Sequence, residues 1–227
     1  VGLGEGVKSW GDYSTALGRN TKAIGYVSTA LGCLTEARGN ASIAMGEETK
    51  SIGNMSTAIG GISEAIGEFS TSMGYNCKAI GSASFADGSG SIARGDTSVA
   101  MGEDVEASGN YSAAFGYKSK TLNDAAIALG DSTIASGRAA AAFGYQTKSS
   151  GMGSLASGLG GEAAGDYSVV FGENNIASGI SSFASGKNNK ISGAYSAGFG
   201  IDCSASGIGC YVGGNGCSAE GNYSFAM

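Results

Sequence analysis

Between Gly4 and Gly221 the sequence returns to glycine at every seventh residue: of the 32 positions in that register 31 are Gly, and the exception is Asn123. In the row two places before the glycine register, from Ser9 to Ala226, 23 of 32 residues are Ala, and four places before it Ser, Thr, Cys and Ala dominate. Small residues alternating with variable ones have the period of a strand. Each heptad therefore predicts a short strand followed by a corner. The glycine marks the place where φ turns positive or where a Cβ has no room. Asn, the non-glycine residue most at ease at positive φ, is the substitution expected at such a corner.

Alternate heptads differ, so the structural period is fourteen. In the first kind, exemplified by DYSTALG, the residue before Gly is large and apolar: Leu17, Leu31, Met45, Ile59, Met73, Met101, Phe115, Leu129, Phe143, Phe171 and Phe199, interrupted at Asp87, Ser157, Ser185 and Gly213. In the second kind, exemplified by RNTKAIG, a charged residue stands between the two small ones, and from residue 22 five successive members run Lys22, Glu36, Lys50, Glu64, Lys78. Stacking turns of fourteen as a parallel ladder places each residue over the one fourteen later, about 4.8 Å away. In that register the charges alternate in sign instead of repelling.

A chain with 42 Gly, no Pro, no His and 8% aromatics cannot fill an interior of ordinary thickness, but it can fill a thin one. The prediction is an all-β parallel β-solenoid of about sixteen 14-residue rungs over residues 1–227, a single domain. The small rows face inward between two close sheets. One outer face carries the Lys/Glu ladder. The other carries Thr15, Ile43, Val99, Ile127 and Val169 beside the Leu, Met and Phe row, an apolar strip larger than a lone soluble chain normally exposes. Identical chains would bury it around an axis parallel to the solenoid, so the eleven apolar residues from Leu17 to Phe199 named above are the expected subunit interface. Periodicity does not count the subunits. Ile24, Ile52, Ile66 and Ile80, before the second corner, point to further coverage there.

Net charge of −6 without a Lys/Arg cluster argues against nucleic-acid or anionic-membrane binding. No apolar run is long enough for a spanning helix, so no direct membrane insertion is expected of this segment. The chain ends part-way through its pattern, as a mature domain or excised fragment does. Without His, a Ser or Cys nucleophile lacks its usual base, and no carboxylate pair stands apart from the turns and the ladder, so no enzyme, cofactor or metal site is expected. The spaced glycines of GIGCYVGGNG lack the Lys-Ser/Thr of a phosphate loop. A partial Thr column (Thr15, Thr29, Thr57, Thr71) dissolves into Phe85, Val99 and Ala113, which disfavours an ice-binding array.

The 14-residue unit, with its YSTALG, ASIAMG, TSVAMG and YSVVFG cores, resembles the head repeat of trimeric autotransporter adhesins, the YadA-like left-handed parallel β-roll, over essentially the whole chain. That resemblance implies a homotrimer displayed at the cell surface on a stalk, binding host-cell or matrix macromolecules without catalysis. A phage or viral fibre segment is the alternative, and a spacer without a ligand is a third.

Cys77, Cys203, Cys210 and Cys217 occupy inward small positions and Cys33 a turn. They are expected as apolar filler, with a C-terminal disulfide or thiol cluster as the alternative. For the ligand, the turn row after the first corner offers Tyr75, Tyr117 and Tyr145, either as contacts or as caps over corner backbone. Trp10 is expected to cover the open end of the roll.

Overall fold

The computed structural model describes residues 1–227 and contains strands, turns and no helix. Each 14-residue turn has one plan. In the second turn a five-residue strand, Thr15–Arg19, is followed by a corner at 20–21, a two-residue strand, Lys22–Ala23, and a wider corner at 24–28 before the next long strand, Thr29–Cys33. Long strands pair with long strands and short with short, always in parallel and in the fourteen-residue register, as in Leu17↔Leu31 and Lys22↔Glu36. The chain is thus a parallel β-solenoid of about sixteen turns, as its period predicts.

It comprises two compact units, Val1–Gly116 and Tyr117–Met227, with the same plan in each. In the first, Ala16, Ala30 and Ala44 of the long sheet face Ala23 and Ala37 of the short sheet, all fully buried. In the second, Val170, Ile191 and Val212 thicken the same interior locally, and Gly198 makes room for Ile191 and Val212. Inward Ser and Thr are buried in both units. Many return their hydroxyls to corner carbonyls, as Ser98 does to Gly95 at 2.6 Å and Ser182 to Gly179 at 2.6 Å.

The two glycine rows differ in what they require. In the long-strand row (Gly18, Gly32, Gly46) φ lies between +119° and +125°, and a Cβ would overlap the carbonyl of the glycine one turn on. In the second row (Gly11, Gly25, Gly39) φ is ordinary and only the space is lacking. Asn123 belongs to this second row and has no positive φ, so tolerance of the left-handed region does not explain it. Its Nδ2 instead donates to the carbonyl of Ser136 at 2.7 Å, a turn away.

The left-handed residues proper come two places after each glycine, at φ of 51–59° for non-glycine residues. They include the β-branched Val27, Ile62 and Thr97. This moves the first corner one residue later than the heptad suggests. The glycine's peptide units stay in the ladder, so the strand runs on through the next residue.

Candidate interaction surfaces

The outer face of the long sheet carries the predicted interface row. Leu17, Leu31, Ile59, Met73, Met101, Phe115 and Phe143 are half-buried, while Met45, Leu129, Phe171 and Phe199 are exposed, Leu129 to 48%. The interruptions in this row follow a rule that only the two-row face reveals. Where the row drops to Asp87, Ser157, Ser185 or Gly213, the residue two places earlier is large: Phe85, Leu155, Phe183 and Tyr211. Where the row holds Phe115, Phe143 or Phe199, that residue is Ala113, Ala141 or Ala197. Each turn thus presents at least one bulky apolar group, on one or other side of the strand's midline, and the turns with Ile43/Met45, Val99/Met101, Ile127/Leu129 and Val169/Phe171 present two. In the second unit the bulky groups form a chain of ring contacts, with Phe183 5.1 Å from Phe199, Phe199 5.4 Å from Tyr211 and Tyr211 stacked 5.2 Å from Phe225. Alternating large and small positions are how packed layers interdigitate.

The short sheet's outer face carries the charge ladder as expected from Lys22 to Lys78, but at its start Lys8 pairs with Lys22, a like charge. Glu64 lies 3.1 Å from Lys50 and 3.2 Å from Lys78, and Glu36 lies 2.8 Å from Arg38 and 3.5 Å from Lys22. Partial burial pushes the Glu64 carboxyl up, but the two ammonium groups outweigh it and hold it below the ordinary value. The same opposition, with Arg38 as the main partner, lowers Glu36. In the second unit Lys148 meets Glu162 at 3.0 Å.

Tyr75, Tyr117 and Tyr145 are not in a turn. They end the strands Thr71–Tyr75, Ala113–Tyr117 and Ala141–Tyr145, one residue before the left-handed corner. All three are exposed, Tyr75 to 59%. The Tyr75 ring lies beside Gly61 of the preceding turn, the Lys118 ammonium is 4.8 Å from the Tyr117 ring centre, and Gln146 donates to the Tyr145 hydroxyl at 3.4 Å. Asp131 stands between Tyr117 and Tyr145: it pairs with Tyr145, and its neighbour Ser132 donates its N–H to the Tyr117 carbonyl. No concave pocket accompanies these side chains. Trp10 is exposed, with the Lys8 ammonium 5.0 Å from its ring centre. Ile52 and Ile66 are exposed at the second corner, and nothing in the single chain covers them.

All five cysteines are free thiols. Cys77, Cys203 and Cys210 are buried in inward positions, Cys217 is half-buried, and Cys33 ends the strand Thr29–Cys33, with Arg19 Nη2 3.2 Å from its sulfur.

Two features escape the heptad pattern. Asp and Asn recur directly after the second-row glycine, and their Oδ1 accepts the backbone N–H of the equivalent residue one turn back. Asn40 takes Tyr26 N, Asn54 takes Asn40 N, Asp96 takes Ser82 N and Asp166 takes Met152 N, at 2.8–3.0 Å. The column 12, 40, 54, 96, 110, 124, 166, 222 shows this preference once the sequence is stacked in fourteens. The other is a buried amide pair, in which Asn175 Oδ1 accepts from both the N–H and the Nδ2 of Asn189, and Asn189 Oδ1 accepts from Cys203 N.

A family model described as the YadA head domain repeat matches residues 11–32, 37–61, 51–76, 107–133, 135–160 and 163–189, together more than half of the chain. No curated protein matches it.

Proposed function

Because the chain belongs to the YadA head-repeat family, we propose that it is the head of a surface-displayed trimeric adhesin, in which three copies pack their long-sheet faces about a common axis and the remaining outer surface binds macromolecules of a host cell or matrix. The role is non-catalytic: contact is made over an extended surface, with Tyr75, Tyr117 and Tyr145 as candidate contacts.

The observation that carries the assembly is the long-sheet face, which offers at least one bulky apolar group in every turn. Burying such a side chain fully is worth about 1.5–3 kcal/mol. A few turns therefore match the estimated ~4–15 kcal/mol lost in association, and each unit contains about eight. The charged short sheet suits the outer surface, where its ion pairs stay wet and contribute at most about 1 kcal/mol each.

Adhesion is tested by presenting the soluble assembly to cultured cells and to immobilised matrix proteins. Saturable binding that weakens when Tyr75, Tyr117 and Tyr145 are changed to Ala supports the proposal. An assembled protein that binds none of these surfaces is a spacer, not an adhesive head.

A further inference from the structure

Four triplets of the form Asn-X-Ser occur in the chain: Asn40-Ala41-Ser42, Asn54-Met55-Ser56, Asn110-Tyr111-Ser112 and Asn222-Tyr223-Ser224. All four asparagines stand in one column, directly after the second-row glycine, and all four are exposed. We propose that these asparagines, Asn40 and Asn54 foremost, are acceptors for N-linked sugar, and that the sugar covers the second-corner edge of the first unit.

The orientation of the amide carries this. A backbone N–H can only donate, so the atom facing it must be the side-chain oxygen. Tyr26 N lies 3.0 Å from Asn40 Oδ1, Asn40 N lies 3.0 Å from Asn54 Oδ1, and Ile208 N lies 3.0 Å from Asn222 Oδ1. Asn110 Oδ1 takes Asp96 N in the same way. The planar amide then points Nδ2 of Asn40, Asn54 and Asn222 away from the ladder. Nδ2 is the atom that receives sugar in the Asn-X-Ser/Thr acceptor, so a sugar added there leaves the hydrogen bond to Oδ1 in place.

In the transfer, a bond forms between Nδ2 and the anomeric carbon of a hexose or N-acetylhexosamine. The carbon–oxygen bond to the phosphate of an activated donor breaks, the diphosphate leaves with the bonding electrons, and one Nδ2 proton passes to a base of the transferase. The donor is a sugar diphosphate linked to a nucleoside or a lipid.

Ser42 and Ser56 are fully buried in the folded chain, and Ser56 is held by Gly53 O and Ser51 at 2.6 Å. A transferase cannot read the triplet once the turns have stacked, so transfer precedes folding. Around Asn40 and Asn54 the edge exposes Tyr26, Val27, Met55 and Phe69, with Met55 at 57%. A neutral sugar at each asparagine would shield this apolar group from water without contributing charge.

The test is secretion of the whole chain through a eukaryotic secretory pathway, whose transferase reads Asn-X-Ser, followed by peptide mapping of the folded, soluble product. We expect hexose-containing mass additions on the peptides bearing Asn40 and Asn54. They should be absent from the exposed Asn20, Asn76 and Asn188, which lack Ser or Thr two places on. Asn40→Asp and Asn54→Asp keep the accepting oxygen, as Asp96 and Asp166 do, and should remove the additions while leaving the unfolding midpoint of the sugar-free protein unchanged. Folded protein made without sugar should resist modification by the same transferase, and the denatured chain should accept it. Folded product bare at Asn40 and Asn54, or sugar found there only in aggregated chain, overturns the proposal. Neither result bears on adhesion, which is read by the binding assay.

Discussion

At the residue scale the fold rests on two separate demands that a single glycine period conceals. Gly18 needs both positive φ and the absence of a Cβ, because its neighbour one turn on presents a carbonyl where the methyl would go. Gly25 needs only the space. Both Gly18→Ala and Gly25→Ala are expected to open the local ladder, with Gly18→Ala costing more by about 1–2 kcal/mol, the penalty of the left-handed region, as read from denaturant midpoints. Two residues after each glycine the chain is left-handed whatever the side chain, and Val27 and Ile62 pay that conformational penalty at φ of 55° and 57°. Val27→Asn should therefore stabilise the protein by up to about 1 kcal/mol, since Asn visits this region more readily. An unchanged or lowered midpoint would show that Val27 makes compensating contacts.

At the element scale the ladders can be tested one column at a time. Glu64 is held below its ordinary titration range by Lys50 and Lys78 against the opposing effect of partial burial. A carboxyl depressed by folding contributes stability above its unfolded value, near 4.3, and loses that contribution as pH falls through its folded value. Lys50→Ala should thus cost less than about 1 kcal/mol at neutral pH. The gap from the parent protein should close as a pH series of unfolding curves passes below about 4. The buried amide pair is worth more. Asn189→Ala strands Cys203 N and the carbonyls of Ser185 and Gly200, and a loss of at least about 3 kcal/mol is expected at roughly 1–3 kcal/mol per stranded group.

The charge column was legible before any coordinates because like charges one turn apart would repel, so alternating signs at a spacing of fourteen fix the register. The inward rows were legible because only small side chains fit a thin interior. The strand end at Tyr75 was not: a glycine in the ladder and a glycine at a break look alike in sequence, and only φ separates them. The Asp and Asn column was hidden for a different reason, since its hydrogen bonds join residues fourteen apart and a heptad register interleaves that column with the unrelated row Arg19, Cys33, Glu47. The amide pair occupies positions where the pattern allows any small inward residue.

At the scale of the whole molecule, the long-sheet face is the feature a single chain leaves unfinished. The large-for-small exchange between Phe183 and Ser185, or Ala197 and Phe199, keeps the bulk per turn steady and has no use against water. Against an opposing surface it sets how the layers interlock. Leu129→Lys should weaken the assembly by at least tenfold in dissociation constant, as one buried unpaired charge costs well over 1.4 kcal/mol, whereas Lys50→Ala should leave assembly intact. Equal tolerance of both would mean that the long-sheet face is not the interface. The most direct measurement is the mass in solution by sedimentation equilibrium across micromolar concentrations. Trimers packed through the long sheet give three times the 22.2 kDa chain, and a folded, stable monomer of 22.2 kDa at tens of micromolar rules that packing out.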